Sequence, residues 1–199
     1  ALVSEELYPE YLKDEYERMG VYLAHCDSTS AYDIISKTPI RSPSDIRGLK
    51  VRATGGLTAE IIRQVGAVPV VMAAAETYTA FQRGILDAVA LGGPDMAAYR
   101  LHETGNYFTR VGLTHTVLQY CLSPHTFDGL PDDLRVDLYN LFRLRGQVAH
   151  RNYYGGEALG RAIETLEAGG VEVIELTPDE RQEWIDAILP LEQRFIEEN

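Results

Sequence analysis

Among the 199 residues of the chain, Arg52 is the side chain whose type and setting best fit recognition of an anion. A guanidinium presents a planar fork that matches a carboxylate in bidentate geometry. It stays charged when desolvated, because its pKa exceeds about 12. Arg52 ends a strand candidate, Leu49-Lys50-Val51-Arg52, and Thr54-Gly55-Gly56 then turns the chain into a helix. Gly92-Gly93-Pro94-Asp95 holds the equivalent place after a second strand candidate, Ile85–Leu91. In open α/β sheets ligands lie beyond the carboxyl ends of strands, where helix N-termini also present free N–H groups. Tyr32, His115 and Gln119 are weaker candidates for polar contacts to a ligand body. From the residues alone each has a structural alternative: a surface Arg ending an edge strand, glycines that only turn the chain, a histidine satisfied within the fold.

Other constellations carry less. His25-Cys26-Asp27 has the residue types of a thiol nucleophile, but neighbours on a strand point to opposite faces and cannot form a relay. Cys26 and Cys121 form no CxxC pair and cannot alone build a tetrahedral metal site. They read as small buried hydrophobes, with a disulfide between them left open. No GxSxG, HExxH, GxGxxG or P-loop pattern is present, so neither catalysis nor a cofactor is expected. Gly156 and Gly160 have membrane-dimer spacing, but Glu157 and Arg161 flank them, which favours a close helix contact or kink.

The net charge of −12, without any Lys/Arg-rich run, argues against nucleic acid and anionic membranes as partners. An acidic ligand then needs a local cation to override the global field. No apolar run approaches the ~20 residues that cross a bilayer. The sequence opens at Ala1 with no secretory signal pattern, and Ala1 is not expected to be the natural start.

The elements that must hold these residues follow from periodicity. Residues 4–19 read as an amphipathic helix with Leu7 and Tyr11 on one face, closed by Gly20. Val21–Ala24 and Tyr32–Ile35 read as strands around a polar loop at 27–31. Ser42-Pro43-Ser44-Asp45 signals one helical turn that Gly48 closes. From 49 to 91 strands and helices alternate at short spacing, which predicts βαβ units and a mainly parallel sheet. The helix after Gly55-Gly56 carries Leu57, Ile61, Ile62 and Val65 on one face. Thr114–Leu122 is a further strand. Beyond Pro131 a stripe of Leu134, Leu138, Leu141, Phe142 and Val148 continues through Leu159, Ile163 and Leu166, a long helix bent or interrupted near Gly155-Gly156. Val171–Leu176 is a strand, and a Thr177–Glu180 capping box opens a last helix with Trp184, Ile188, Leu191 and Phe195 inward.

The run Ser42-Pro43-Ser44-Asp45-Ile46-Arg47-Gly48-Leu49-Lys50-Val51-Arg52 resembles the signature of DctP-type TRAP-transporter solute-binding proteins. In the same order come a helix ending in Gly66-Ala67-Val68-Pro69, then Glu76-Thr77-Tyr78-Thr79-Ala80-Phe81-Gln82-Arg83-Gly84, and Leu86-Asp87-Ala88. Leu130-Pro131 before the long helix and Gly169-Gly170-Val171 complete the set. Each motif is weak alone; the ordered set is specific and covers nearly the whole chain.

The resemblance implies a two-lobed, periplasmic-binding-protein-like (type II-like) α/β fold with a long lobe-spanning helix. Residues 30–117 plus 158–199 would form the lobe carrying Arg52. Residues 1–29 plus 118–157 would form part of the other, whose N-terminal remainder the family carries and this chain lacks. It further implies that Arg52 anchors the carboxylate of a small organic acid, with Tyr32, Thr54, Gly92, Gly93, Asp95, His115 and Gln119 around it. The ligand would sit between the lobes, hinge closure would capture it, and a membrane permease would receive it in the periplasm. Three departures block copying a substrate. Ala31-Tyr32 stands where many members have an earlier Arg, and the aromatic near Ala74 and the Asn near Leu91 or Gly92 are missing. Ala90 replaces a metal-binding Glu of some members, so no metal is expected, although Asp95 keeps the idea open. A ligand-sensing regulator domain and an α/β enzyme are the alternatives.

Overall fold

The computed structural model describes residues 6–198. The chain divides into two compact units, each assembled from two stretches: Ala31–Thr114 with Leu159–Asn199, and Ala1–Ser30 with His115–Ala158.

The larger unit is built on a six-stranded sheet. Its strands are β2 (Tyr32–Ser36), β3 (Lys50–Ala53), β4 (Val68–Val71), β5 (Ala88–Gly92), β6 (Tyr107–Thr109) and β8 (Glu172–Ile174), in the order β4-β3-β5-β2-β6-β8. β3 pairs in parallel with β4 and β5, and β6 with β8, as the alternating pattern predicts. β2 is the exception and runs antiparallel to both β5 and β6. β2 and β5 are buried at every position, and the short apolar residues of β5 suit a strand covered on both faces. β4 sits at the edge, where Pro69 is tolerated because it removes a ladder donor on an open side.

Helices α2 (Gly56–Gln64), α3 (Ala74–Gln82) and α4 (Gly93–Ala98) follow β3, β4 and β5. On α2, Thr58, Ala59, Ile61 and Ile62 face the core, and Val65 follows; Leu57 is exposed, one position off the expected stripe. β5 starts at Ala88 rather than Ile85, because Asp87 is tied to the head of β3. The Lys50 N–H donates to Asp87 Oδ2 at 2.8 Å, and the Asp87 N–H to the Lys50 carbonyl at 2.9 Å.

The expected helical turn at residues 42–48 is a hydrogen-bonded turn and not a helix. Asp45 Oδ2 accepts from the backbone N–H of Arg41 (2.9 Å) and Ser42 (2.8 Å), and Gly48 turns the chain in the left-handed region before a second turn can form. The long C-terminal helix α8 (Pro178–Glu198) opens with the reciprocal capping box that its sequence predicts. Thr177 N–H donates to Glu180 at 2.8 Å, and Glu180 N–H to Thr177 Oγ1 at 3.2 Å. Trp184 is buried and donates to the Arg41 carbonyl at 2.8 Å; Leu191 is buried too, whereas Phe195 lies past the core contacts and is exposed.

The smaller unit pairs β1 (Tyr22–Ser28) antiparallel with β7 (Val117–Leu122). A π-helical turn at Tyr8–Leu12 and helix α1 (Lys13–Arg18) precede them. The expected helix at residues 4–19 begins outside the described residues. Its inward face is Tyr8, Leu12 and Tyr16, packed with Leu23 and Cys26, and not Leu7 and Tyr11, which are exposed. β1 runs on through Asp27 and Ser28, which reads as loop in the sequence, because Thr116 and Val117 continue the pairing. After α5 (Pro124–Asp128), helix α6 (Asp132–Ala149) is interrupted by a π-helical segment at His150–Tyr154 before α7 (Gly156–Ala168). The break therefore falls where Gly155-Gly156 predicts it. Leu134, Leu141 and Val148 of the predicted stripe are exposed on α6, while Ala158 of α7 is buried, as are Ala162 and Leu166 beyond Leu159, where the chain belongs to the larger unit. No disulfide joins Cys26, which is buried, to Cys121, which is exposed.

Candidate ligand-binding site

The reversal of β2 determines what meets at the carboxyl edge of the larger unit's sheet. Because β2 runs against β5, its first residue, Tyr32, pairs with the last residue of β5, Gly92. Arg52, near the end of β3, lies one strand further on, with Arg52 and Val89 in register. β3 is flanked on both sides, so Arg52 does not end an edge strand.

Arg52 is 2% exposed. Its Nε and Nη2 both donate to the Met72 carbonyl, at 3.3 and 3.1 Å, and Nη1 donates to the Ala90 carbonyl at 3.5 Å. A guanidinium has five N–H bonds. Three are engaged by these carbonyls, which leaves one N–H on each Nη atom, enough for a carboxylate held by both. No carboxylate among the described residues forms an ion pair with Arg52. Burial lowers its pKa, and Tyr32, Tyr99 and Asp95, all near it, partly offset that effect.

Asp95 sits in the first turn of α4, directly after Gly92-Gly93-Pro94. Burial raises its pKa and the Arg52 charge opposes the rise. Gly92 and Gly93 are buried. A Cβ at Gly93 would stand 2.7 Å from Leu159 Cδ1 and 3.5 Å from Phe108 Cζ, so the Leu159 side chain would have to shift to admit one. Thr54 is exposed, and its hydroxyl bonds to Thr58 Oγ1 at 3.1 Å. Tyr32 is buried, with backbone bonds of 2.8 Å to both Thr114 and Leu113.

His115 and Gln119 belong to the smaller unit, and both are exposed. His115 Nδ1 lies 3.1 Å from the Thr29 carbonyl, and Gln119 pairs with Cys26 across the strands. The larger unit thus gathers Arg52, Tyr32 and Asp95 with the glycines. Sequence reasoning missed Met72 and Ala90, which act through backbone carbonyls that carry no side-chain signal. It also missed Tyr99, which stands at the end of α4 one turn beyond Asp95.

An open groove of about 430 Å³ lined by Phe127, Asp132, Arg135, Val136, Tyr139 and Asn140 lies in the smaller unit. Another of about 270 Å³ runs along Val111, Trp184, Ile188 and Glu192 in the larger. Neither includes Arg52.

This fold is that of the periplasmic solute-binding proteins of TRAP transporters. The chain superposes on an open, unliganded one from Marinobacter aquaeolei with a TM-score of 0.80 and 29% identity, over 94% of this chain and 62% of that one. It superposes on another from a Sulfitobacter species, solved with β-D-galacturonate, with a TM-score of 0.84 and 23% identity, over 98% of this chain and 65% of that one. Residues 2–199 match bacterial extracellular solute-binding protein family 7 (DctP), and the chain belongs to that family. The C4-dicarboxylate-binding periplasmic protein DctP of Vibrio cholerae is 33% identical over 192 residues, 94% of this chain and 56% of the relative. A protein of the same description from Rhodobacter capsulatus is 28% identical over 81% of this chain and 49% of the relative. The chain therefore spans about half the length of these curated relatives.

Proposed function

We propose that the chain captures a small organic acid outside the cytoplasm, holds its carboxylate on Arg52, and serves a TRAP-type membrane permease. The observation that carries this reading is the buried, unpaired Arg52 guanidinium, oriented by the carbonyls of Met72 and Ala90 with one N–H left on each Nη. A buried cation without a counter-ion is costly. An incoming carboxylate supplies that counter-ion in charge-assisted bonds worth about 1.5–3 kcal/mol. Micromolar affinity needs about 8 kcal/mol in total, so Arg52 orients the acid while enclosure supplies the remainder. Family membership supports the solute-binding role, and the dicarboxylates and galacturonate named for the relatives support an acid as the solute. Tyr32 and Asp95 complete the proposed site in the larger unit, with Thr54 and the Gly92-Gly93 backbone beside it.

A thermal-shift screen against mono- and dicarboxylic, keto and sugar acids tests the proposal, on the chain and on Arg52→Ala. An acid at 100 times its Kd should add about 2.7 kcal/mol of stability to the parent and far less to the variant. An acid that stabilises both equally would remove Arg52 from the site.

A further inference from the structure

Asp95 is the residue that the carboxylate-anchor reading leaves unexplained. It lies in the first turn of α4, directly after β5, the strand whose Ala90 carbonyl accepts from Arg52 Nη1 at 3.5 Å, and each acts on the other's charge, yet the two form no ion pair. Arg52 donates to backbone carbonyls, not to Asp95. The Asp95 carboxylate accepts no hydrogen bond from any described residue, although it is only partly exposed. If Asp95 served merely to neutralise Arg52, a direct charge-assisted bond would be the favourable arrangement. Instead a cation and an anion are held close but apart, each with hydrogen-bonding capacity left over.

A plain monocarboxylate fits this pair badly. Its carboxylate would neutralise Arg52 and leave Asp95 partly desolvated, unpaired, and facing a second negative charge. A second ligand carboxylate on that side would be worse. A ligand with a donor beside its carboxylate resolves the mismatch, because the carboxylate bridges the two free N–H groups of Arg52 while the donor bonds to Asp95. We infer that Asp95 sets the substrate class of the Arg52 site, selecting acids that carry a hydroxyl or ammonium group close to the carboxylate over their unsubstituted counterparts. Tyr32 and Tyr99, the other groups near Arg52, fit the same ligand, since each brings a hydroxyl that both donates and accepts. The inference rests on the carboxylate reading of Arg52 and deepens it.

The test is calorimetric titration of the chain with acids that differ by one group: propionate and lactate, butyrate and 3-hydroxybutyrate, succinate and malate, glutarate and glutamate. The substituted member of at least one pair should bind about tenfold tighter or better, the discrimination expected of one hydrogen bond to a charged group. In Asp95→Asn, checked by its melting curve, that ratio should fall to within about twofold of one. In Arg52→Ala both members should bind at least about tenfold more weakly. The parent comparison needs no variant, so a variant that fails to fold leaves the inference exposed to test. Equal affinities within every bound pair, or a preference that survives Asp95→Asn, would overturn the role of Asp95 and leave the Arg52 anchor standing. Binding undiminished by Arg52→Ala, or no binding of any acid, would overturn the anchor and the inference with it.

Discussion

The Met72 carbonyl is chelated by Arg52, accepting from Nε at 3.3 Å and from Nη2 at 3.1 Å. Met72 follows the edge strand β4, so the backbone of one strand fixes the side-chain plane of the next. The anchor is thereby oriented before any ligand arrives, which limits the rotamer entropy lost on binding.

Lysine cannot reproduce this arrangement. Arg52→Lys keeps the charge but loses the planar fork, and its ammonium cannot both chelate Met72 and bridge a carboxylate. We expect ligand affinity to fall about 10- to 100-fold, the equivalent of about 1.4–2.8 kcal/mol, measured by titration calorimetry, with little change in the unliganded melting temperature.

Asp33 makes stability depend on pH. It is buried on β2, and its Oδ1 accepts from the Gly112 N–H at 2.9 Å. Burial raises its pKa from 3.8 to about 6, against the lowering effects of the Gly112 bond, Arg110 and Arg181, and with Glu175 adding to the rise. The folded state thus holds the proton more tightly than the unfolded chain. Stability falls as pH rises from about 4 to about 6 and is level above that, by an amount on the order of 3 kcal/mol. Asp33→Asn keeps an oxygen acceptor for Gly112. Urea denaturation between pH 4 and 8 should show this variant more stable than the parent near neutrality, with the slope in that window removed.

Gly93 tests packing against chemistry within the candidate site. Gly93→Ala pushes a methyl to 2.7 Å from Leu159 Cδ1 and should cost about 1–3 kcal/mol. Leu159→Ala removes the obstructing atoms. The double variant should therefore lose less than the sum of the two single losses, read by a denaturation double-mutant cycle.

The thiols should separate by accessibility. Cys121 is exposed and Cys26 buried. A chromogenic disulfide reagent should report about one fast thiol under native conditions and two in urea. The Cys121 rate should still be rising with pH around neutrality, because partial burial lifts its pKa above the usual thiol value.

Most strands and helices were legible because hydrophobic periodicity and glycine punctuation agree along residues 49–92. Lys50–Ala53, Gly56–Gln64 and Val68–Val71 stand within a residue or two of their sequence expectation. The direction of β2 was not legible, since alternation encodes which face a residue takes and not which way its strand runs. The inward face of residues 8–16 was misjudged because Leu7 outranks Tyr8 in hydrophobicity, while the structure buries aromatic edges: Tyr8 and Tyr16 pack edge to face at 5.5 Å. For the candidate site, the cation could be singled out from its residue type and strand position. What holds it could not, because Met72 and Ala90 contribute only carbonyl groups.

Each compact unit is assembled from two stretches of chain, and this dictates an order of events during synthesis. The βαβ run from Lys50 to Ala98 is local in sequence and can form early. β8 reaches β6 only after some 60 intervening residues have been made, with Tyr107 pairing to Glu172 and Thr109 to Ile174. Trp184, whose indole closes on the Arg41 carbonyl, comes later still. The nascent larger unit therefore waits with Phe108 and Ile40 uncovered until the C-terminal stretch docks, a long-range closure that slows folding and leaves a window for aggregation. A chain cut before Leu159 would never leave that window.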